Sequence, residues 1–339
     1  MDYQPPESPE LTVPPTDGSN TLSKALEDAR KALSQRSDEV AMYKTRWKQL
    51  GRELNELRSQ QYFSLVTDDD LADYAKTLRA NIRSFSIQYF DGPPREKLGR
   101  SDVSERAKRS PYLRGLTETE EDLYKYLMSP DDCPSIIQAY LWTFIVKRVF
   151  DKFCWAGDLS TSLNGLCKVM RPGWQSDTKL PANPEAERDF QLWSATTTRL
   201  LLGSLDTSEG SETDRVTRQA RERLVTLIDS KIGPFRRNRE GGFKESLDQI
   251  LTDATEFDRE ISRQAARVRW VFPERTRLSF DPDIMEQQTG KPQPERDQRV
   301  SLVIAPALKK RGKSNGEGFK GPESWLLPAL VSCDLLDEE

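Results

Sequence analysis

The sequence predicts a mainly α-helical fold, in which a long coiled-coil-like helix precedes an irregular multi-helix domain and a short C-terminal β-like hairpin. Apolar residues recur every three or four positions through most of the chain, which is the spacing of one helix face. In the first of these runs the spacing alternates between four and three, and this alternation indicates a coiled coil. Short runs of β-type residues occur near the end of the chain, so the strands are expected there.

The composition is that of a charged chain with a modest apolar content. Of its 339 residues, 31% are charged and 35% are hydrophobic, and the low apolar share indicates that part of the chain does not join a core. The net charge of -4 and the pI near 5.4 give no general attraction to nucleic acid or to an anionic membrane. No apolar run reaches the ~20 residues of a membrane-spanning helix, so no membrane association is expected.

The four cysteines are not spaced as zinc ligands. Cys133, Cys154, Cys167 and Cys333 include no C-x-x-C pair, which zinc sites built from neighbouring thiolates use. We interpret them as free thiols of a reducing compartment. The expected location is therefore the cytoplasm, with the nucleus as the alternative.

The chain contains no histidine. This excludes Ser-His-Asp and Cys-His nucleophile systems and histidine general bases, and it removes a major ligand of zinc and non-haem iron enzymes. Carboxylate, lysine, tyrosine and thiol chemistry stay open. We predict no catalytic, metal-binding or cofactor-binding residues and no cofactor, and we favour a non-enzymatic protein.

The chain is predicted to begin with a tail and a long helix. Residues 1–20 form an acidic, proline-rich tail that we expect to be disordered, because proline removes backbone donors and like charges repel. Residues 22–61 form one helix with a seam along one side. Ten of the twelve seam positions are apolar, and they are Leu22, Leu26, Ala29, Leu33, Arg36, Val40, Tyr43, Trp47, Leu50, Leu54, Leu57 and Gln61.

This seam suits either a partner helix or the body of the same chain. With Leu26 at heptad position a, Glu39 and Glu53 occupy g positions, and Lys44 and Arg58 occupy the following e positions. These are the pairs that meet in a parallel, in-register dimer. Alternatively, the helix folds back on its own domain, where large aromatic side chains pack readily. For a homodimer or another protein partner, the expected interface residues are Tyr43, Trp47, Leu50, Leu54 and Leu57.

Residues 66–272 are predicted to form a helical domain. A capping box at Thr67–Asp70 starts its first helix, and residues 91–116 are interpreted as a flexible loop. A wide apolar face over residues 135–153 predicts a helix at the centre of the core. A near-heptad pattern over residues 243–271 predicts the last long helix.

The character of the chain changes after residue 272. Residues 273–299 are rich in Pro, Gln, Asp and Arg, and we interpret them as a linker. Residues 300–333 are predicted to be a small β-like element, in which Val300–Ile304 and Ser324–Val331 form a hairpin or an edge pair. Residues 334–339 are an acidic tail.

Two clusters of basic residues are interpreted as solvated loops, at residues 236–239 and 309–313. Clusters of this kind suit a nucleic-acid backbone or a nuclear-import receptor. Two small patches on an acidic chain are a weak signal, so nucleic acid is not the partner we expect. The basic residues are Arg236, Arg237, Arg239, Lys309, Lys310, Arg311 and Lys313.

The layout resembles uncharacterised proteins common in filamentous fungi, which join an N-terminal coiled coil to a helical domain. The segments that carry the resemblance are Asp69–Ala72, Leu78–Arg83, Val303–Leu308 and Leu330–Cys333. Those proteins have no established activity. The resemblance therefore implies an architecture and no functional residues.

Three functions follow as hypotheses. The first is an interaction or scaffold protein that self-associates or binds a protein partner through the 22–61 helix. The second is a nuclear, nucleic-acid-associated factor that uses the basic loops. The third is an enzyme with carboxylate or thiol chemistry between helices, and a polar cleft in which Asp, Glu or Cys side chains converge would favour it.

Overall fold

The computed structural model describes most of the chain. The described residues are 17–58, 66–95, 99–108, 110–172, 183–239, 241–273 and 278–333. In the first helix, the described side chains are those of residues 30, 31 and 33–51. The predicted acidic tail at 334–339 and residues 1–16 of the predicted N-terminal tail lie outside the described residues. The chain divides into two units, Met1–Gln61 and Tyr62–Glu339, and each is described by itself.

The described chain is mainly helical, as the sequence predicts. The first unit contains helix α1 (Asp17–Arg58). The helices described in the second unit are α2 (Asp68–Phe90), α3 (Arg100–Lys108), α4 (Glu120–Met128), α5 (Cys133–Arg148), α6 (Ser160–Met170), α7 (Pro184–Ser204), α8 (Glu212–Ile232) and α9 (Phe243–Ser262). Short 3-10 segments occur at Cys154–Leu159 and Gly233–Phe235.

Strands are concentrated in the last quarter of the chain. They are β1 (Arg267–Val271), β2 (Met285–Gln287), β3 (Leu302–Ala305), β4 (Ala307–Arg311), β5 (Ser324–Leu327) and β6 (Ala329–Ser332). They form two three-stranded sheets, with the orders β1-β4-β5 and β2-β6-β3. Strands β2 and β6 are parallel, and the other pairs are antiparallel.

The two β-type runs at 300–304 and 324–331 pair with each other, within a larger arrangement than the small hairpin expected. Strand β3 lies opposite β6, with Val303 facing Val331, and β4 lies opposite β5. A single residue, Pro306, separates β3 from β4, and Pro328 separates β5 from β6. The four strands therefore form one long hairpin that bends at its prolines, because proline cannot donate to the ladder.

Arg79 of α2 ties this bend to the helices. Its Nη2 atom donates to the carbonyl oxygens of Pro306 and Pro328, at 3.1 and 2.9 Å, and its Nη1 atom lies 3.6 Å from the carboxylate of Glu286. Burial lowers the pKa of Arg79 to about 10, and the charge of Glu286 opposes that shift. The guanidinium is therefore charged at neutral pH and bonds a carbonyl on each side of the bend.

Helix α5 is the centre of the core. Thirteen of its sixteen residues are buried, and it packs against α2, α4 and β3. Pro134 occupies the first turn, where its missing N–H group costs nothing. The prediction that the apolar run around residues 135–153 lies in the core is confirmed, although α5 itself ends at Arg148.

The capping box that begins α2 is confirmed. The amide of Asp70 donates to the hydroxyl of Thr67 at 3.1 Å, and the amide of Thr67 donates to the carboxylate of Asp70 at the same distance. Residues 91–116, interpreted as a flexible loop, contain α3. Its Val103 is buried, and the hydroxyl of Ser104 donates to Glu120 at the start of α4. The low apolar content of this segment hides a helix that contributes one apolar side chain, Val103, to the core.

The predicted helix over residues 243–271 combines two elements. Helix α9 ends at Ser262, and β1 follows after four residues. Val268 and Trp270 alternate with Arg267 and Arg269, which is the period of a strand, and β1 pairs along its length with β4. Residues 267–271 are extended rather than helical because pairing with β4 gives their backbone groups ladder hydrogen bonds that the end of a helix would lack.

The linker interpretation of residues 273–299 is wrong for the part from residue 278 onward. This part contains β2 and buries Phe280 and Met285. Those two side chains pack with Val300 and Val331 in a small core of their own. The polar composition hid this fold, because a few well-spaced apolar residues suffice to fill a small core.

We call the second unit, Tyr62–Glu339, the body. We predict that replacing Arg79 with Met destabilises the body by about 2–4 kcal/mol, since two carbonyls lose a charged donor. Urea unfolding followed by circular dichroism measures the change. Arg83→Met, one helical turn later on α2, is the matched control and should cost less than about 1 kcal/mol. Equal losses in the two variants would show that the hydrogen bonds from Arg79 to Pro306 and Pro328 add nothing to stability beyond the packing of the arginine stem.

Candidate functional site

The first candidate site is the apolar side of α1. Tyr43 and Trp47 expose 62% and 69% of their surfaces, and Leu50 exposes 48%. Leu33 and Val40, which lie in the same seam, are exposed as well. Large apolar side chains in a contiguous exposed row mark an interaction surface rather than a solvated one.

Three of the five expected interface residues can be placed. Tyr43, Trp47 and Leu50 follow one another at intervals of four and three on the helix, so their side chains lie along one stripe. The side chains of Leu54 and Leu57 lie outside the described residues. The stripe is therefore described over its first part, and its continuation stays a prediction from the sequence.

The basic cluster at 309–313 is not a solvated loop. Lys309, Lys310 and Arg311 belong to β4, and the last two are buried. Arg311 lies 3.0 Å from the carboxylate of Glu187 and 3.5 Å from that of Glu323. Lys310 is paired with Asp68 of α2.

Glu323 gathers most of the remaining charge of this cluster. Arg269 donates two hydrogen bonds of 2.9 Å to its carboxylate, and Lys309 lies 3.8 Å away. Burial alone would raise the pKa of Glu323, but the bonds from Arg269 and the charges of Arg311 and Lys309 hold that pKa below its ordinary value. The cluster is therefore compensated inside the fold, and of its members Lys313 is left exposed in the turn that follows.

The basic cluster at 236–239 has a different setting. Arg236, Arg237 and Arg239 follow a short 3-10 segment at the end of α8, and they line a small pocket together with Arg95 and Arg106. The sequence places these last two residues in the predicted loop and gives no sign that they join the cluster. The fold thus enlarges one predicted basic cluster and neutralises the other.

A third candidate is a polar cleft between the helices and β1. It has a volume of about 480 Å³ and is bordered by Phe150–Phe153, Arg171, Asp258 and β1 residues. Asp151 and Asp258 both line it, so two carboxyl groups converge as the enzyme hypothesis requires. Arg171 lies 3.2 Å from Asp151, which leaves Asp258 as the group without an ionic partner among the described residues.

The cleft wall is a strained turn that Asp258 holds in place. Asp151 and Phe153 have φ angles of 57° and 53°, a left-handed conformation that non-glycine residues rarely adopt. The Oδ1 atom of Asp258 accepts a 2.8 Å hydrogen bond from the amide of Asp151. The carbonyl of Lys152, which belongs to this turn, accepts hydrogen bonds from Ser160 and Asn164 of α6. Strain of this kind persists where surrounding contacts over-determine it.

Burial is the main reason that the pKa of Asp258 lies well above its ordinary value, and the charge of Asp151 adds to the shift. Hydrogen bonds from the amides of Asp151 and Phe153 and the charge of Lys152 oppose it. The Oδ2 atom has no hydrogen-bond partner among the described residues. Asp258 therefore anchors the turn through Oδ1, and this anchoring, rather than proton transfer, is what the geometry supports.

The sequence contains a signal for Asp258 that the helical pattern obscured. An acidic residue sits at a core position, because the spacing of one apolar helix face joins Ala254, Phe257, Asp258 and Ile261.

The cysteine thiols are weaker candidates for chemistry than this carboxyl group. Burial raises the pKa of Cys133 and of Cys154 to about 11, which makes both poor nucleophiles at neutral pH.

Comparison with protein-family models, curated proteins and solved structures gave no match for this chain. None of the described helices has both the length and the apolarity that crossing a membrane requires. Within the described ranges, no group of three or more Cys, Asp and Glu side chains is arranged to hold a metal ion. The candidate sites therefore rest on their own geometry.

We predict that Asp258→Asn gains stability relative to the original chain as the pH rises. Above the ordinary carboxyl pKa of 3.8, the unfolded chain releases a proton that folded Asp258 retains. The original protein therefore loses up to about 1.4 kcal/mol of unfolding free energy per pH unit until the raised pKa is reached. Asparagine does not titrate, so it escapes this loss. Urea unfolding between about pH 4 and about pH 7 measures the difference.

Glu256→Gln, which removes an exposed acid from the same helix, is the control for that series. A constant difference between Asp258→Asn and the original chain at every pH would mean that the two states release this proton together. The interpretation that folding raises the pKa of Asp258 would then fail.

Proposed function

We propose that this protein is a non-enzymatic interaction protein that self-associates through α1 as a parallel, in-register dimer. The observation that carries the proposal is the exposed apolar stripe that includes Tyr43, Trp47 and Leu50. Burying side chains of this size stabilises an interface by about 1.5–3 kcal/mol each. A second copy supplies the identical stripe at the identical register.

Charge complementarity supports a second copy of this chain as the partner. In the heptad frame, Glu39 of one helix meets Lys44 of the other, and Glu53 meets Arg58. Both pairs are of opposite sign in a parallel homodimer. Arg36 is the polar member of the seam within the described side chains, and Glu39, of opposite charge, lies three residues after it.

The resemblance to fungal coiled-coil proteins agrees with this proposal in architecture and adds no residue to it. The competing arrangement is the fold-back of α1 on the body, which would use the same stripe for intramolecular packing. A different partner protein with a matching helix is the other alternative. Solution mass separates self-association from the other two cases, because only self-association doubles the mass of the purified chain.

We predict that the full chain has a mass of twice 38.8 kDa in solution, and that a version beginning at residue 66 is a monomer. The reason is that the truncated chain lacks the whole stripe. Light scattering coupled to size exclusion measures both masses. A monomeric full chain would overturn self-association and leave the fold-back or a different partner.

We predict that Leu50→Asp combined with Leu54→Asp abolishes the dimer, because four carboxylates would then enter one seam. The matched control is Met42→Asp combined with Gln49→Asp, which adds the same charges at two positions outside the seam. The control should stay dimeric by light scattering. A dimer that survives the Leu50 and Leu54 changes would place the interface elsewhere.

A further inference from the structure

The body contains a pocket lined mostly by arginine. It has a volume of about 340 Å³, and five of its eight lining residues are arginines. We call it the arginine pocket, and its lining residues are Arg95, Arg106, Gly233, Pro234, Phe235, Arg236, Arg237 and Arg239. They come from three separate parts of the chain, so the pocket exists only in the folded protein.

The buried Arg237 and the half-buried Arg236 form the inner part of the arginine pocket. Arg237 is 8% exposed, and its Nη2 atom donates to the carbonyl of Leu127 at 2.7 Å. The guanidinium of Arg236 lies 4.0 Å from the ring centre of Phe243, which fixes it by a cation–π contact. The Nε atoms of both arginines are buried and have no hydrogen-bond partner among the described residues.

The other three arginines complete the pocket. Arg95 donates from Nε to the carbonyl of Arg237, which holds the end of the α2–α3 connection against the inner arginines. Arg106 comes from α3, and Arg239 is exposed beyond Arg237. Across the residues that the structure describes, none of the five arginines has a carboxylate within 4.0 Å.

An anion that enters this pocket meets several positive charges that no described carboxylate within 4.0 Å balances. Like charges in one concavity repel, and the concave shape concentrates their field. Buried donors without acceptors add to the cost. Elsewhere in the body a buried guanidinium has carboxylate partners, since Arg311 is paired with Glu187 and Glu323. Within the part of the chain that the structure describes, the arginine pocket differs from this pattern because its arginines have no such partner.

We propose that the arginine pocket binds the phosphate group of a small molecule, a site independent of the association through α1. Guanidinium groups bind phosphate oxygens in a bidentate manner and remain charged at every physiological pH. A phosphate monoester or a pyrophosphate carries enough negative charge to balance several arginines. The volume lies at the lower end of the range for ligand pockets, which suits a small organic phosphate.

A nucleic-acid backbone fits the pocket less well. Backbones are bound along extended basic grooves or stripes that follow successive phosphates. Here the charge is gathered in one concavity. In the basic cluster at 309–313, Lys310 and Arg311 are already paired with carboxylates, namely those of Asp68, Glu187 and Glu323. The whole chain carries a net charge of -4, so nothing else in its composition draws a duplex toward it.

Isothermal titration of the full chain with inorganic pyrophosphate, in a phosphate-free buffer at about 50 mM salt, tests this proposal. The test variant is Arg106→Gln combined with Arg239→Gln, which removes two charges that the inner packing does not use. The control is Arg114→Gln combined with Arg223→Gln, two exposed arginines outside the pocket. Thermal unfolding confirms that each variant is folded.

We expect the full chain to bind pyrophosphate, the test variant to bind it at least about tenfold more weakly, and the control to be unchanged. Absence of binding, or equal losses in both variants, would overturn the proposal. A short DNA duplex is titrated in parallel. Duplex binding that is tighter than pyrophosphate binding, and that the test variant weakens, would also overturn it in favour of a nucleic-acid surface.

Discussion

The rest of the body depends on one constraint, which is that α5 has no polar face. A helix that is apolar on every side must be covered on every side, and thirteen buried residues out of sixteen show that this cover is nearly complete. Helices α2 and α4 and strand β3 supply part of it. Few charged groups fit against such a helix, so the ionic chemistry of the body lies around the core, where the hairpin, the cleft and the arginine pocket are found.

Those outer regions use arginine in two ways. At the hairpin, Arg311 is buried and Arg79 is 11% exposed, and each meets acceptors inside the fold. Such groups belong to the structure, because removing one partner leaves the other buried and unpaired. At the arginine pocket, the guanidinium groups of Arg236 and Arg237 are held by an aromatic ring and a carbonyl, and no carboxylate of the described residues lies within 4.0 Å of them. Arginine therefore stabilises the fold at the hairpin, whereas at the arginine pocket we propose that it binds an anion.

The sequence predicts what is local and misses what the fold brings together. The capping box of Thr67 and Asp70 and the apolar run of α5 are written in neighbouring residues, and both were predictable. Strand β1 was not, because its arginines look like the polar side of a helix until Glu187 and Glu323 arrive from distant parts of the chain. The arginine pocket was half predictable: residues 236–239 are visible as a cluster, whereas Arg95 and Arg106 join it only through tertiary structure. The exposure of Tyr43, Trp47 and Leu50 on α1 follows the predicted seam.

The bend of the long hairpin also limits how these strands can meet other molecules. A straight hairpin of this length would present two long edges of free N–H and C=O groups, which are templates for pairing between chains. Pro306 and Pro328 divide it, and the strands at the sheet edges, β1, β2, β3 and β5, have between three and five residues. Edges this short are poor sites for intermolecular strand addition. The C-terminal sheets are in this way protected from edge-to-edge aggregation.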